Sequence, residues 1–346
     1  MFATFLGIIS ALVSGVLNGS FAAPMKRMSK WQWENIWLMW SLWALIVIPI
    51  VIAWATVPNL LNVYQAAESD VLLKTFLFGA GWGIGAITFG FGLYMVGLSL
   101  GYSIIMGVTA VAGSLIPMLM FNFDKISTPG GMVILLGMLF MIVGVALCGK
   151  AGLIKEKVKV ADGSIAEKKY KFKWGLLVCL ASGILNALLN LSFVFGGPIA
   201  ETAKGFLPES VFVNFRANNT IWVLTLLGAF GSNFIYCIAL LVIKGSWRNY
   251  KEAQTRSYWF YAFLMGTLWM SGVALYGAGA SYLGKLGATV GWIILMSTTV
   301  FVGNLWGILS GEWKNTPRKC HLHMMQGLGL LIVAIFLVSL GNYIQK

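Results

Sequence analysis

The stretch Gly7-Ile8-Ile9-Ser10-Ala11-Leu12-Val13-Ser14-Gly15-Val16-Leu17-Asn18 returns, little changed, as Gly175-Leu176-Leu177-Val178-Cys179-Leu180-Ala181-Ser182-Gly183-Ile184-Leu185-Asn186. Each copy opens one half of the chain. Five apolar segments of membrane length lie between the start of one copy and the start of the other, and an odd number of crossings makes the second copy thread the bilayer in the opposite sense. Inverted halves of this kind imply a secondary transporter.

Composition supports the reading outward from that repeat. The 346-residue chain is 59% hydrophobic and only 10% charged, with 15 Trp and 22 Phe. That leaves too little polar surface to coat a water-soluble globule, so its solvent is lipid. About 20 apolar residues cross a hydrocarbon core of about 30 Å, and ten such runs occur, near 2–24, 35–56, 75–96, 99–121, 131–149, 174–195, 219–243, 258–278, 286–309 and 324–344. Each is longer than a membrane-barrel strand and lacks polar/apolar alternation, so each is expected to be a helix that satisfies its own backbone.

The expected fold is therefore an all-α polytopic membrane protein with ten transmembrane helices in two inverted five-helix repeats. The repeats take 1–149 and 174–346, and 150–173 is a basic cytoplasmic linker. The first run is expected to stay in the mature protein. Met1-Phe2-Ala3-Thr4 carries no basic residue, and the copy of this run sits in mid-chain.

Charge sets the orientation. Eighteen of the 24 basic residues fall in the loops after segments 1, 5, 7 and 9, from Lys26, Arg27 and Lys30 through the Lys150–Lys173 linker to Lys244, Arg248, Lys251, Arg256, Lys314, Arg318 and Lys319. Positive loops stay in the cytoplasm, so both termini are expected on the outer side of the membrane. The net charge of +13 is explained by topology and anionic headgroups, without a nucleic-acid partner. The partners expected are membrane lipid, a small neutral molecule and, if transport is coupled, a proton.

The duplication extends beyond the first helix of each half. Gly79, Trp82, Gly85 and Gly97 match Gly266, Trp269, Gly272 and Gly284, so the third and eighth segments are also copies. The helices in which the duplication is best kept are expected to line what the halves enclose.

Two polar stripes cross the apolar background: Ser10, Ser14 and Asn18 in segment 1, and Ser182, Asn186 and Asn190 in segment 6. Residues four apart share a helix face, and amides are costly to leave unpaired in lipid, so both stripes are expected to face the protein interior. The serines serve equally well as packing contacts. Asn186 and Asn190, two amides one turn apart, are the leading ligand-contact candidates. Trp82, Trp269, Tyr276 and Trp292 lie well inside apolar segments, where an indole face can take the C–H surface of a sugar ring while amides hold its edge. Their alternative role is bulk packing against glycines. The substrate-binding candidates are thus Asn186, Asn190, Trp82, Trp269, Asn18, Tyr276 and Trp292.

None of the eleven acidic residues, and no basic one, falls at the centre of a segment. A strongly charged substrate would have nothing to offset its desolvation. Glu34, at the edge of segment 2, and Glu201, in an outer loop, are the proton-coupling candidates. Both also read as plain interfacial charges. The cysteines Cys148, Cys179, Cys237 and Cys320 are scattered and imply no disulfide framework. Cys320-His321-Leu322-His323 has no nearby carboxylate and reads as a juxtamembrane loop. The glycines at 79, 81, 83 and 85 lack the flanking strand and Lys-Ser or Lys-Thr of a phosphate loop, and suit close helix packing. No nucleophile–base arrangement or paired interior carboxylates appear, so an enzyme is not expected, nor any cofactor or metal.

Several motifs together resemble a known family. Leu77-Phe78-Gly79-Ala80-Gly81-Trp82-Gly83-Ile84-Gly85, Lys26-Arg27-Met28-Ser29-Lys30-Trp31-Gln32-Trp33-Glu34, and Asn122-Phe123-Asp124 with Ser127-Thr128 and Gly130-Gly131 are similar to the L-rhamnose–proton symporter family of the drug/metabolite transporter superfamily. Pro198 with Glu201, Trp292 with Met296-Ser297, and Glu312-Trp313 extend the resemblance along the whole chain. It implies ten helices in two inverted repeats around a central cavity, and uptake of a deoxy sugar with a proton. It departs in the ninth segment, where the family pattern implies an Asp and a His and this chain has Ala288 and Leu295. Alternatives on the same fold are a permease for another monosaccharide or a nucleoside. A different class is a sugar-sensing membrane receptor, which the short, lysine-rich linker does little to support.

Overall fold

A computed structural model describes residues 2–161, 172–314 and 316–345. Within them the chain is all-α, with no strand. In order the helices are α1 (Phe2–Ser20), α2 (Trp33–Ser41), α3 (Ile48–Thr56), α4 (Leu60–Ala66), α5 (Ser69–Val96), α6 (Leu98–Phe121), α7 (Pro129–Ala161), α8 (Phe172–Phe195), α9 (Gly197–Lys204), α10 (Val213–Lys244), α11 (Arg256–Leu283), α12 (Gly287–Leu309) and α13 (Arg318–Ile344). Ten helical stretches are long and apolar enough to cross a membrane. Large apolar side chains are left exposed along them, such as Ile235, Ile243, Leu309 and Phe336, as expected where acyl chains replace water.

The helices run past the apolar cores of the expected segments. α5 begins at Ser69 rather than 75, α7 continues to Ala161 and α10 starts at Val213. Hydropathy marks only the part immersed in hydrocarbon, whereas the backbone ladder continues as far as helix-compatible residues and caps allow. Part of the expected linker, 150–161, is the last stretch of α7. Asp162, Glu167, Lys168, Lys169 and Lys171 lie outside the described residues, as does Lys346.

The second segment is not one regular helix. α2 starts with a reciprocal cap, in which Gln32 and Asn35 each satisfy the other's backbone. Between α2 and α3 the chain winds as a π-helix over Leu42–Val47, just before Pro49. Proline lacks an N–H and its ring crowds the carbonyl four residues back, here Leu45, and a locally widened turn relieves that clash.

The duplication is visible in the backbone. α5 and α11 have equal lengths of 28 residues, and each is followed by a repeat-matched glycine at positive φ, Gly97 at +104° and Gly284 at +88°. Only glycine takes such angles without strain, so both helices stop at equivalent points.

The chain forms two compact units. The first comprises Met1–Gly15, Gly85–Ala187 and Gly279–Lys346, and the second Val16–Ile84 and Leu188–Ala278. Each takes part of α1, α5, α8 and α11. In the first unit α7 and α13 pack antiparallel through small residues spaced by seven. A Cβ on Gly341 would lie 2.6 Å from the Gly130 carbonyl, one on Gly137 3.1 Å from that of Ala334, and one on Gly144 3.0 Å from that of Gly327. Backbones this close gain dispersion contacts without the water-driven term, which lipid does not supply. The core around them is aliphatic, with Ile134, Met138, Met141, Val145, Leu331 and Val338 all buried.

Candidate functional site

In the second unit the repeat-matched indoles meet each other. Trp82 on α5 and Trp269 on α11 stack with ring centroids 5.3 Å apart and planes 19° apart, each only 6% exposed. Trp40 on α2 sets its edge against Trp269 at 5.5 Å.

A second cluster lies on α8, α10 and α11. The Tyr276 hydroxyl donates to Asn190 Oδ1, and both residues are buried. The Phe193 ring stacks on Trp222 at 5.1 Å and lies 5.5 Å from Tyr276. Asn218 Nδ2 donates to the Gly277 carbonyl at 2.9 Å, and Gly277 stays bare because a Cβ there would lie 2.9 Å from Trp222 Nε1. Trp222 Nε1 and Asn219 Oδ1 are buried without a hydrogen-bond partner among the described residues. This cluster is neutral, aromatic and rich in amide groups, the chemistry that holds a sugar's hydroxyl edge against a flat apolar face.

Asn218, Asn219, Trp222 and Phe193 were not among the sequence candidates. The signal was the run Asn218-Asn219-Thr220 next to Trp222. Beginning that segment at 219 placed the run at an apparent end, whereas α10 starts six residues earlier and buries it.

The remaining candidates are distributed as follows. Asn18 is half-buried in the last turn of α1. In the first unit Asn186 Nδ2 donates to the Gly85 carbonyl at 3.0 Å, to the Ser182 carbonyl at 2.8 Å and to Ser182 Oγ at 3.2 Å. It is a staple across bare backbone, since a Cβ on Gly85 would lie 2.9 Å from Asn186 N. Trp292 is also in the first unit, lies over Gly113 and donates through Nε1 to the Thr109 carbonyl at 3.2 Å. The structure thus pairs Trp82 with Trp269 and Asn190 with Tyr276, and gives Asn186 and Trp292 backbone partners.

The two carboxylates differ sharply. Glu201 is exposed and bonds Lys204 at 2.7 Å within α9. Glu34 is the sole buried charged residue among the described residues. Its Oε2 meets Lys244 Nζ at 2.9 Å and its Oε1 accepts from Ser246 Oγ at 2.7 Å. Next to it Asn35 Nδ2 donates to the Ser246 carbonyl at 2.9 Å, Asn249 donates to Asn35 Oδ1 at 3.0 Å and the Tyr250 hydroxyl donates to the Asn35 carbonyl at 3.0 Å. Burial pushes the Tyr250 hydroxyl well above its ordinary range, against a smaller lowering by the Asn35 bond, so it remains a donor at physiological pH. These bonds fasten the start of α2 to the turn after α10. Among the described residues no group of three or more His, Cys, Asp or Glu side chains is placed to hold a metal.

Ten apolar spans with amides and stacked indoles buried among them define a polytopic membrane protein. The chain belongs to the family described as L-rhamnose-proton symport protein, whose sequence profile matches residues 1–343. It is therefore a multi-pass membrane transporter and not an enzyme. It is 30% identical over 347 aligned positions to the L-rhamnose-proton symporter of Yersinia pestis (strain Pestoides F), covering 98% of both chains. Identity and coverage are the same against the L-rhamnose-proton symporter of Yersinia pseudotuberculosis serotype O:3 (strain YPIII).

Proposed function

We propose that this protein carries a neutral deoxy sugar, L-rhamnose first, into the cell together with a proton by alternating access. The observation that carries the reading is the end-to-end match to L-rhamnose-proton symporters, with 98% of both chains aligned. The neutral character of the buried Trp82–Trp269 and Asn190–Tyr276 clusters supports it, because a sugar needs hydroxyl partners and a flat apolar face but no counter-charge.

In this reading the Trp82–Trp269 pair takes the ring face, and Asn190 with Tyr276 takes hydroxyls. Asn18, the Oδ1 of Asn186 and the ring of Trp292 are supplementary contacts. Glu34 is the first proton carrier to test. It is buried, and its Lys244 partner is 43% exposed, so the pair can part as water reaches it. Glu201 is the second. Residues 1–149 and 174–346 form the two inverted repeats, with both termini outside and the 150–173 linker inside, in keeping with the side on which the basic residues collect.

The test is uptake of labelled L-rhamnose into proteoliposomes with and without an imposed inward proton gradient. Accumulation driven by the gradient is expected. Uptake indifferent to the gradient removes the symport, and no uptake removes rhamnose.

A further inference from the structure

Five indoles of the second unit form a continuous series. Trp33 and Trp37 stack at 5.2 Å with planes 18° apart, Trp37 meets Trp40 at 4.4 Å, Trp40 stands edge-on to Trp269 at 5.5 Å, and Trp269 stacks on Trp82 at 5.3 Å. Trp33 is the first residue of α2 and follows the basic residues Lys26, Arg27 and Lys30. Trp82 and Trp269 sit midway along 28-residue helices. The series therefore leads from the basic edge of the span to mid-depth, about half of a hydrocarbon core of about 30 Å.

Bulk packing does not account for Trp40. It is 1% exposed, and its Nε1–H has no acceptor among the described residues. Other indoles have one: Trp31 donates to the Asn249 carbonyl at 3.2 Å, Trp37 to Asn233 Oδ1 at 3.0 Å and Trp292 to the Thr109 carbonyl at 3.2 Å. A phenylalanine would fill much of the same space without burying an unmet donor. Trp222 shares the unmet N–H but stacks on Phe193, outside the series. Trp40 also stands two residues before the π-helical Leu42–Val47, a kind of local unwinding that recurs at functional sites and lets a helix swing about it. Helix α11 lies directly against this segment, since a Cβ on Gly266 would come 2.6 Å from that of Trp43.

We infer that Trp33, Trp37, Trp40, Trp269 and Trp82 form a path for a pyranose ring. Successive indole faces take the sugar's C–H face, and Trp40 Nε1–H donates to a sugar hydroxyl in passage. In the structure the Trp82–Trp269 faces cover each other and Trp40 meets Trp269 edge-on. Rewinding of the π-helical segment withdraws Trp40 and lets a sugar replace one indole in the stack. The inference rests on the sugar-transport reading.

Saturable L-rhamnose uptake by the wild-type protein in proteoliposomes is the baseline, and its absence overturns both readings. With that uptake intact, the variants address the path alone. Trp40→Phe keeps an aromatic face, though a smaller one, and removes the donor. It is expected to raise KM about fivefold, the worth of one hydrogen bond, with the maximal rate within about twofold, while Trp174→Phe, at a 61% exposed indole, keeps the wild-type KM. An unchanged KM in a folded Trp40→Phe protein overturns the inference. Should Trp40→Phe not fold, competition on the wild type decides. Methyl α-L-rhamnopyranoside, locked as a ring, is expected to inhibit labelled uptake, and L-rhamnitol, with the same carbon chain and no ring, is not. Equal inhibition by the two overturns the ring-face path.

Discussion

The two compact units solve the problem of packing in lipid differently. In the first, α7 and α13 approach through Gly130, Gly137 and Gly144 facing Gly341, Ala334 and Gly327, and the surrounding core is aliphatic. In the second, Gly79 and Gly83 on α5 and Gly228 on α10 also bring two backbones together, but α2, α10 and α11 meet through indoles and phenols and through amide, hydroxyl and carboxylate bonds. Small-residue contacts have one low-energy arrangement, because any separation forfeits dispersion on both faces. Ring stacks and polar bonds can exchange partners at comparable energy. On this contrast α7 and α13 are expected to stay fixed against each other, and the aromatic contacts of α2, α10 and α11 to be the ones that rearrange.

The largest effect that would break this contrast is expected at Gly327. A Cβ there would lie 2.7 Å from the Gly144 carbonyl and 2.6 Å from Cys148 Sγ, so Gly327→Val should destabilise the protein by about 3 kcal/mol. Thermal unfolding in detergent should show a large drop in midpoint. A variant that melts like the wild type would mean that the α7–α13 contact is not the rigid element.

Next comes the Glu34–Lys244 pair, which sharpens the description of the second unit through an asymmetry. Glu34 is fully buried and Lys244 is 43% exposed. Lys244→Met strands a buried carboxylate and should cost about 3 kcal/mol. Glu34→Gln leaves a lysine that water can reach and keeps the Ser246 bond, so about 1 kcal/mol is expected. Equal melting points for the two variants would sink this account. If Glu34 also carries the coupled proton, Glu34→Gln should abolish gradient-driven accumulation while leaving sugar exchange across the membrane.

Smaller changes in stability than that of Lys244→Met, and the most telling in function, separate the two amides on α8. Asn186→Ala removes a donor that holds the Gly85 and Ser182 carbonyls and should cost about 2 kcal/mol, with a modest change in KM. Tyr276→Phe removes only the hydroxyl that meets Asn190, with about 1 kcal/mol expected in stability and a severalfold change in the KM for L-rhamnose. Melting curves and uptake kinetics on the two variants check the pair. A larger KM change at Asn186 would move the sugar contact to the first unit.

The burial of the main site candidates was legible in the residues. Buried Trp82, Trp269, Asn190 and Tyr276 followed from their depth in apolar runs, because hydrocarbon leaves an amide or indole few places to go except inward. Their pairing was not legible: α5 joins α11 and α8 joins α11 through contacts between residues far apart in the chain. Nor was the different use of Asn186 and Asn190, which share a stripe but meet bare backbone in one case and a phenol in the other. The glycine series at 130, 137 and 144 was present in the sequence, yet a spacing of seven on one helix does not name its partner.

By itself the sequence determined that the chain lives in lipid, crosses it ten times and repeats its own plan, because hydropathy, segment length and duplication are local properties that the bilayer reads directly. Tertiary structure alone decided that repeat-matched tryptophans stack on one another, that the helix begun by α2 unwinds before Pro49, and that Trp40 and Trp222 keep their N–H groups unmet among the described residues. Those outcomes depend on which side chains from distant segments compete for the same space and the same hydrogen bonds, and no single segment carries that information.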